Sequence, residues 1–209
     1  MTKPTFAQTV RTLKKYTKPQ LKKYFDTVIK NGKGKGVRGW ALEELVGVKK
    51  TSDLNDLADG ELKTANKGGH LNLTSLAHTL PEVFDTTPFE KTMFYQKIRK
   101  SIYCFFDKKT GEFDSIRAID LDKLPALKAA IEEDYLAICD YIEDCYWTRE
   151  ELSGKFRAPN NLLFLGTSGY GDITFEGRTL STKYYRAWGL KRILLDRVIE
   201  EGTLVQSVN

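Results

Sequence analysis

A short cluster of acidic and basic residues, Asp56-Leu57-Ala58-Asp59-Gly60-Glu61-Leu62-Lys63, has the side chains that metal-dependent phosphodiester hydrolysis requires. The Glu61-Leu62-Lys63 segment favours a strand, in which side chains alternate, so Glu61 and Lys63 are expected on the same face. The Asp59-Gly60 pair is typical of a turn, and we expect a tight hairpin that brings Asp56 opposite Glu61. Two facing carboxylates suit a hard divalent cation, and the adjacent lysine can hold a phosphate or an attacking water.

The size and composition of the chain predict one globular domain over 1–209. It has 209 residues, 41% of them hydrophobic, which is enough to bury a core. No apolar run approaches the roughly 20 residues of a membrane span, so we expect no membrane contact. The N-terminal Met1-Thr2-Lys3-Pro4-Thr5 lacks the apolar segment of a signal peptide, which favours a cytoplasmic location. Three cysteines without a CxxC pair favour reduced thiols over a zinc site or disulfide framework.

The charged residues are segregated along the chain. There are 33 basic and 28 acidic residues, a net charge of +5, and the acidic excess lies in 120–151. The basic residues cluster at Lys14-Lys15, Lys22-Lys23, Lys30 to Arg38, Lys97 to Lys100 and Lys183 to Arg192. Such segregation favours a basic surface that meets a polyanion, although each cluster taken alone is equally well explained as a solvated helix face.

The hydrophobic pattern predicts a mixed α/β fold with helices flanking a central sheet. Helices are expected at 5–16, 18–31, about 40–46, 89–99, 124–145 and 184–200. Strands are expected at 101–106, 113–121 and 162–165, with a hairpin turn at 107–112 and a long connection with short strands at 65–88.

Two other patterns carry less functional information. Gly34, Gly36 and Gly39 have the spacing of a dinucleotide-binding fingerprint, but they follow a helix instead of the strand that this motif requires. The segment is better interpreted as a basic loop whose Lys35 and Arg38 contact phosphates, or as a linker without contacts. The two histidines, His70 and His78, lack partners at metal-ligand spacing.

Several motifs together resemble the MutH-type endonucleases, which comprise the mismatch-repair nicking enzyme MutH and related type II restriction enzymes of the PD-(D/E)xK superfamily. The segment Lys35-Gly36-Val37-Arg38-Gly39-Trp40-Ala41-Leu42-Glu43-Glu44-Leu45-Val46-Gly47 is similar to the family's glycine-then-Leu-Glu helix. In the family this helix precedes an Asp and a Glu-Leu-Lys-Thr strand, matched by Asp56 and Glu61-Leu62-Lys63-Thr64. A lysine-bearing helix at 89–100, an acidic helix ending at Glu143 and a terminal basic helix follow in the family's order.

The resemblance implies a restriction-endonuclease-like core with two lobes around a DNA cleft. It further implies that Glu43, Asp56 and Glu61 surround a metal ion, with the Leu62 carbonyl as a further ligand. The expected ion is Mg²⁺, for which Mn²⁺ can substitute. Lys63 becomes the catalytic lysine, and Lys97 a second cation near the cleaved strand. The spacing from Asp56 to Glu61 is two residues shorter than in MutH, so Asp59 remains an alternative ligand to Asp56.

The function implied by the resemblance is hydrolysis of double-stranded DNA to 5′-phosphate and 3′-hydroxyl ends. The family's Arg-Pro pair, which reads the MutH site, is replaced by Gly166-Thr167-Ser168-Gly169-Tyr170-Gly171, which favours a type II restriction enzyme. The alternatives are a mismatch-repair nicking enzyme, a DNA-binding module without catalysis, and a nuclease that acts on RNA or single strands. One motif copy implies one active site per chain, acting as a monomer or a transient dimer on DNA.

The residues expected to contact DNA come from the basic clusters, the connection at 65–88 and the segment 157–182. We expect them to contact phosphates or base edges, and Asn160 and Asn161 are further candidates for base contacts. The predicted DNA-binding residues are Lys35, Arg38, Arg157, Lys183 and Arg186.

Overall fold

A computed structural model of the chain describes residues 2–32, 36–48, 55–169, 172–180 and 185–205. Its α-helices are α1 (Phe6–Leu13), α2 (Lys18–Asn31), α3 (Val37–Leu45), α4 (Leu80–Phe84), α5 (Met93–Arg99), α6 (Pro125–Thr148) and α7 (Arg192–Glu201). Its strands are β1 (Glu61–Lys67), β2 (Leu71–Ser75), β3 (Lys100–Asp107), β4 (Phe113–Asp120), β5 (Leu163–Gly169), β6 (Ile173–Phe175), β7 (Arg178–Leu180), β8 (Tyr185–Leu190) and β9 (Thr203–Leu204). Short 3₁₀ helices lie at Leu76–His78, Phe89–Lys91 and Leu121–Lys123. Within these described ranges, no helix combines the length and the apolar character needed to cross a lipid bilayer.

The chain divides into two compact units. Unit 1 consists of Met1–Gly69, Lys97–Leu121 and Leu195–Asn209, and unit 2 of His70–Gln96 and Asp122–Leu194. The sheet of unit 1 has the strand order β1-β3-β4-β9, and unit 2 contains a sheet of order β2-β8-β5 and the separate β6-β7 hairpin. The expected organisation as a single domain over 1–209 stays a prediction.

The sheet of unit 1 is mixed. Strand β1 runs parallel to β3, with Glu61 opposite Ser101, whereas β3 pairs antiparallel with β4. Residues 101–106 of β3 are all buried, as expected for a central strand that is rich in aromatic and β-branched residues and covered on both faces. The predicted β3-β4 hairpin and the mixed α/β character are therefore confirmed. This pairing also aligns the first residue of β1 with the start of β3.

Helices α1, α2 and α3 pack against this sheet through an apolar core. Phe25 of α2 stacks on Phe113 of β4 at a ring-centroid distance of 5.2 Å, and it contacts the edge of Phe106 of β3 at 5.3 Å. Such aromatic contacts bury large apolar areas and fix the orientation of the helix on the sheet.

The start of α2 is defined by local chemistry. Thr17 accepts a hydrogen bond from the backbone N–H of Gln20, whose side chain accepts one in return, and Pro19 occupies the first turn of the helix. This capping box satisfies N–H groups that the helix leaves unpaired, and proline is compatible with the first turn. The break predicted at Thr17-Lys18-Pro19 is confirmed.

Unit 2 is built around β8 and α6. Trp188 of β8 stacks on Tyr135 of α6 at a centroid distance of 4.8 Å, and its indole N–H donates to Thr79 Oγ1 over 2.7 Å. Because α6 extends from Pro125 to Thr148, the long helix predicted at 124–145 is confirmed with three further residues at its C-terminal end.

Two sequence-based predictions are wrong. Residues 184–200 do not form one helix, because 185–190 form strand β8 and the helix begins only at Arg192. Residues 186–190 are all buried, and a short continuous apolar run does not distinguish a central strand from a helix. The hairpin predicted around Asp59-Gly60 is also absent from the described residues, since 56–60 form a bend and β1 pairs with β3.

Asp134 of α6 provides a test of the packing of unit 2. Its fully buried carboxylate accepts hydrogen bonds from the backbone N–H groups of Asn160 and Leu162, each over 2.6 Å, and of Leu163 over 3.0 Å. Asp134→Ala leaves these donors unpaired, so we expect the free energy of unfolding to fall by about 3 kcal/mol or more. Urea unfolding followed by tryptophan fluorescence measures this. The matched control is Asp140→Ala on the exposed side of α6, for which we expect a change within about 0.5 kcal/mol. Equal losses in both variants would contradict the bracing role of Asp134.

Candidate active site

The bend at 56–60 leads into β1, which begins beside the start of β3. The N–H of Leu57 donates to the carbonyl of Gly60 over 2.9 Å, which closes the bend. A Cβ atom on Gly60 would lie 2.5 Å from the carbonyl oxygen of Lys100, so the backbone can approach β3 this closely only with glycine at that position. The bend is therefore held against β3 by close backbone packing.

Two hydrogen bonds connect Asp56 with the Glu61-Leu62 segment. The backbone N–H of Asp56 donates to Glu61 Oε2 over 3.0 Å, and the backbone N–H of Leu62 donates to Asp56 Oδ2 over 3.1 Å. Each carboxylate thus binds the backbone of the segment that carries the other. This arrangement brings the two acidic side chains together, as the sequence predicts, but by way of a bend instead of a hairpin.

Two lysines contact the same carboxylate oxygen. The Lys63 ammonium donates to Glu61 Oε1 and lies 3.9 Å from Asp56 Oδ2. The Lys97 ammonium, at the C-terminal end of α5, donates to Glu61 Oε1 over 3.1 Å. The Glu61 side chain is only 2% exposed, so these contacts supply the ion pairing that a buried carboxylate requires. The parallel pairing of β1 with β3 brings Lys97 close, because α5 leads directly into β3.

The Asp56 carboxyl has a pKa that is raised by its surroundings. Burial raises the pKa of the Asp56 carboxyl above its usual range, and the negative charge of Glu61 raises this pKa further. The charges of Lys63 and Lys97 and the hydrogen bond from Leu62 act in the opposite direction without cancelling the shift. Two carboxylates whose repulsion raises a pKa form a site at which a bound cation is favourable.

The pair of carboxylates fits a hard divalent ion, and the described residues show no group of three potential metal ligands around it. Glu43 of α3 is half-buried, and within the part of the chain that the structure describes no three His, Cys, Asp or Glu side chains are grouped so as to hold a metal. The roles predicted for Glu43 and for the Leu62 carbonyl therefore stay predictions. An ion bound by Asp56 and Glu61 alone would complete its coordination with water or phosphate oxygens, as Mg²⁺ commonly does.

Asp59, the alternative ligand, is engaged elsewhere. Its Oδ1 accepts a hydrogen bond from the backbone N–H of Phe6 over 2.6 Å, and its Oδ2 lies 3.6 Å from the Lys100 ammonium. These contacts tie the bend to the start of α1. The geometry therefore favours Asp56 over Asp59 as the partner of Glu61.

The predicted DNA-binding residues of unit 1 have different surroundings. The Arg38 guanidinium donates to Asn66 Oδ1 over 2.9 Å and to the Gly111 carbonyl over 3.1 Å, and it lies over the ring of Phe106. Arg38 thus braces the β3-β4 turn, and these bonds compete with a phosphate contact. Lys35 lies outside the described residues.

In unit 2, Arg157 is exposed and accessible to a ligand, whereas Arg186 lies in a strand with 6% of its surface exposed. Asn160 donates to Glu133 and to the Ala130 carbonyl, and Asn161 accepts a hydrogen bond from Lys191. The two asparagines therefore brace the fold. Lys183 lies outside the described residues.

Sequence reasoning missed the cavity beside Arg186, lined by residues 151, 153–155 and 164–167. These segments are far from Arg186 along the chain and meet it through strand pairing, so no local spacing identifies the cavity. The only sequence signal is a basic residue within an apolar run, Tyr185-Arg186-Ala187-Trp188.

Comparisons with known proteins leave the family open. No protein-family model matches the chain, and no curated protein matches its sequence. One solved structure with a distant likeness is a complex of the restriction endonuclease MvaI with its cognate DNA substrate. The two chains are 12% identical, the likeness covers 88% of this chain and 95% of that chain, and the TM-score is 0.39. A likeness of this size does not place the chain in a family, so the resemblance to MutH-type endonucleases remains a sequence-based prediction.

The raised pKa of Asp56 predicts opposite effects on stability and on metal binding. A carboxyl whose pKa is higher in the folded than in the unfolded state destabilises the fold when ionised, and this penalty disappears as the pH falls below the unfolded value. We therefore expect Asp56→Asn to keep or increase the free energy of unfolding at pH 8, with a smaller gain near pH 4. The same variant should lose affinity for Mn²⁺, measured by calorimetry.

The matched control is Asp59→Asn, which removes a neighbouring charge while Asp56 and Glu61 remain. We expect it to bind Mn²⁺ like the unchanged protein. Loss of Mn²⁺ binding in Asp59→Asn but not in Asp56→Asn would show that Asp59 is the ligand.

Proposed function

We propose that this protein is a divalent-metal-dependent endonuclease that hydrolyses phosphodiester bonds of double-stranded DNA. The observation that carries this proposal is the reciprocal pairing of Asp56 with Glu61, with the ammonium groups of Lys63 and Lys97 on Glu61 Oε1. Carboxylates that hold a cation, beside ammonium groups that attract a phosphate, are the requirements of phosphodiester hydrolysis.

In the proposed reaction each residue of the site has a distinct role. Asp56 and Glu61 hold the metal, which when bound stabilises the negative charge that develops on the phosphate. Lys63 donates hydrogen bonds that orient the attacking water and the scissile phosphate, and Lys97 offsets phosphate charge from the side of α5. The water oxygen bonds to phosphorus and releases a proton to solvent as the bond to the 3′ oxygen breaks. The leaving oxygen takes up a proton, which gives 5′-phosphate and 3′-hydroxyl ends.

The proposals of a DNA substrate and of a biological role are supported by features of the amino-acid sequence. The net charge of +5 and the clustered basic residues favour a polyanionic partner. The replacement of the family's Arg-Pro pair by a glycine-rich segment favours a type II restriction enzyme that uses Mg²⁺ and reads its own site. Because the sequence contains one copy of the Asp56–Lys63 motif, cutting both strands requires either two chains or two successive nicks.

Substitutions within β1 test the catalytic assignment. We expect Lys63→Met to lower the rate of plasmid cleavage in Mg²⁺ by roughly 100-fold or more, because it removes the cation that orients water and phosphate. Lys67→Met is the matched control: Lys67 belongs to the same strand, but its ammonium pairs with Asp114 at the surface, so the rate should stay within about twofold. DNA binding in Ca²⁺, measured by gel shift, should survive in both variants.

The same experiment tests a DNA-binding module without catalysis. In that alternative, the contacts of Glu61 with Lys63 and Lys97 are only a structural ion-pair network, which the observed distances also permit. It predicts no cleavage in Mg²⁺ or Mn²⁺ and a DNA affinity that is indifferent to divalent ions. That combination would refute the nuclease proposal.

The products of plasmid cleavage distinguish the two nuclease roles. With purified protein alone, we expect supercoiled plasmid to become linear in Mg²⁺, because a restriction enzyme cuts both strands without a partner. Agarose gels resolve the supercoiled, nicked and linear forms. Accumulation of nicked circles without linear product would support a mismatch-repair nicking enzyme instead.

A further inference from the structure

Arg186 of β8 is a buried cation without an anionic partner among the described residues. Only 6% of its surface is exposed. Its Nε and Nη2 donate to one backbone oxygen, the Leu152 carbonyl, over 3.2 and 3.1 Å. No carboxylate of the described residues forms an ion pair with it, and the segments of unit 2 outside the description, 170–171 and 181–184, contain no Asp or Glu.

Burial without an anionic partner is unusual for an arginine with a purely structural role. A guanidinium carries five N–H donors, and one carbonyl leaves most of them unpaired. Burying a charge without a counter-charge is costly, and buried charges in proteins are normally paired. An anionic ligand would remove this cost.

A cavity of about 620 Å³ adjoins the guanidinium. This volume lies within the range of pockets that bind small molecules and exceeds what one phosphate requires. The polar residues of its lining are Arg186, Lys155, Ser153, Thr167 and Glu151. The exposed Glu151 is the one acidic side chain of the lining, and its charge is screened by water.

The loop above the guanidinium is fixed in place. The backbone N–H of Ser153 donates to the Tyr141 hydroxyl over 2.9 Å. A Cβ atom on Gly154 would lie 2.8 Å from Arg186 Nη1, so the absence of a side chain there leaves Nη1 uncovered. Nη1 makes no hydrogen bond within the described part of the chain, so it is available to a ligand.

We propose that this cavity is a nucleotide-binding site in which Arg186 and Lys155 bind a phosphate group and the remaining volume holds the nucleoside. The proposal rests on the proposed function only in taking a nucleic acid as the source of the phosphate. The site belongs to unit 2 and makes no use of the carboxylates of unit 1. It would position a DNA strand through one of its nucleotides.

The test uses the full chain in EDTA, so that cleavage plays no part. Calorimetry with 5′-dGMP, with deoxyguanosine and with inorganic phosphate separates the contributions of phosphate and nucleoside. We expect 5′-dGMP to bind at least about tenfold more tightly than deoxyguanosine, because charge-assisted hydrogen bonds to the phosphate are lost without it. Equal affinity for the two compounds would overturn the proposal. Tight binding of inorganic phosphate without binding of 5′-dGMP would overturn the assignment to a nucleotide.

Substitutions test whether Arg186 and Lys155 bind the nucleotide. We expect Arg186→Met, which replaces the buried cation with an apolar side chain of similar length, to weaken 5′-dGMP binding at least about tenfold. Lys155→Glu reverses a charge at an exposed position, where we expect little effect on folding. It should weaken 5′-dGMP binding several-fold even if Arg186→Met fails to fold. Lys91→Ala, an exposed lysine of unit 2 that does not line the cavity, is the control and should bind normally. Unchanged binding in Lys155→Glu would overturn the proposal.

The outcome is independent of the nuclease proposal. Nucleotide binding that survives while plasmid cleavage is absent would refute the nuclease proposal alone. If cleavage depends on Lys63 but the protein does not bind 5′-dGMP, only the nucleotide-site proposal is refuted.

Discussion

The exchange of hydrogen bonds between Asp56 and the Glu61-Leu62 segment is the constraint on which the candidate site depends. Each carboxylate accepts an N–H group from the backbone of the segment that carries the other, so neither acidic side chain can leave without unpairing a backbone donor. Because these hydrogen bonds hold both carboxylates in the absence of a ligand, the pair is oriented before any ligand arrives. Preorganisation of this kind is what electrostatic catalysis requires, since charges that are already aligned need no reorganisation during the reaction.

Charge balance explains why this arrangement is tolerable in a folded protein. Glu61 is almost completely buried, and the ammonium groups of Lys63 and Lys97 on one of its oxygens supply the compensation that burial demands. The compensation is incomplete at Asp56, whose pKa remains raised by burial and by the charge of Glu61. Residual repulsion of this kind is a local cost in stability, and such costs are concentrated at functional sites.

The buried charges of unit 2 illustrate two different uses of a charged side chain in an apolar interior. Asp134 accepts hydrogen bonds from the backbone N–H groups of Asn160, Leu162 and Leu163, which satisfy its oxygens and connect α6 to the start of β5. Among the described residues, Arg186 has a single carbonyl partner, and it adjoins a cavity. The first residue is explained completely by the fold, whereas the second has capacity left for a ligand. The degree of hydrogen-bond satisfaction therefore separates a structural charge from a candidate binding residue.

The amino-acid sequence alone determined the features that depend on local chemistry. The break between α1 and α2 at Thr17-Lys18-Pro19 follows from capping, the β3-β4 hairpin from its turn residues, and the shared face of Glu61 and Lys63 from strand alternation. Only the tertiary structure decided that β1 pairs in parallel with β3, that 56–60 form a bend, and that 185–190 form a central strand. The burial of Arg186 also depends on the tertiary structure. Parallel pairing joins segments far apart in the chain, and a continuous apolar run is compatible with either a strand or a helix. Which of the two forms is more stable depends on tertiary contacts with residues that are distant in the sequence.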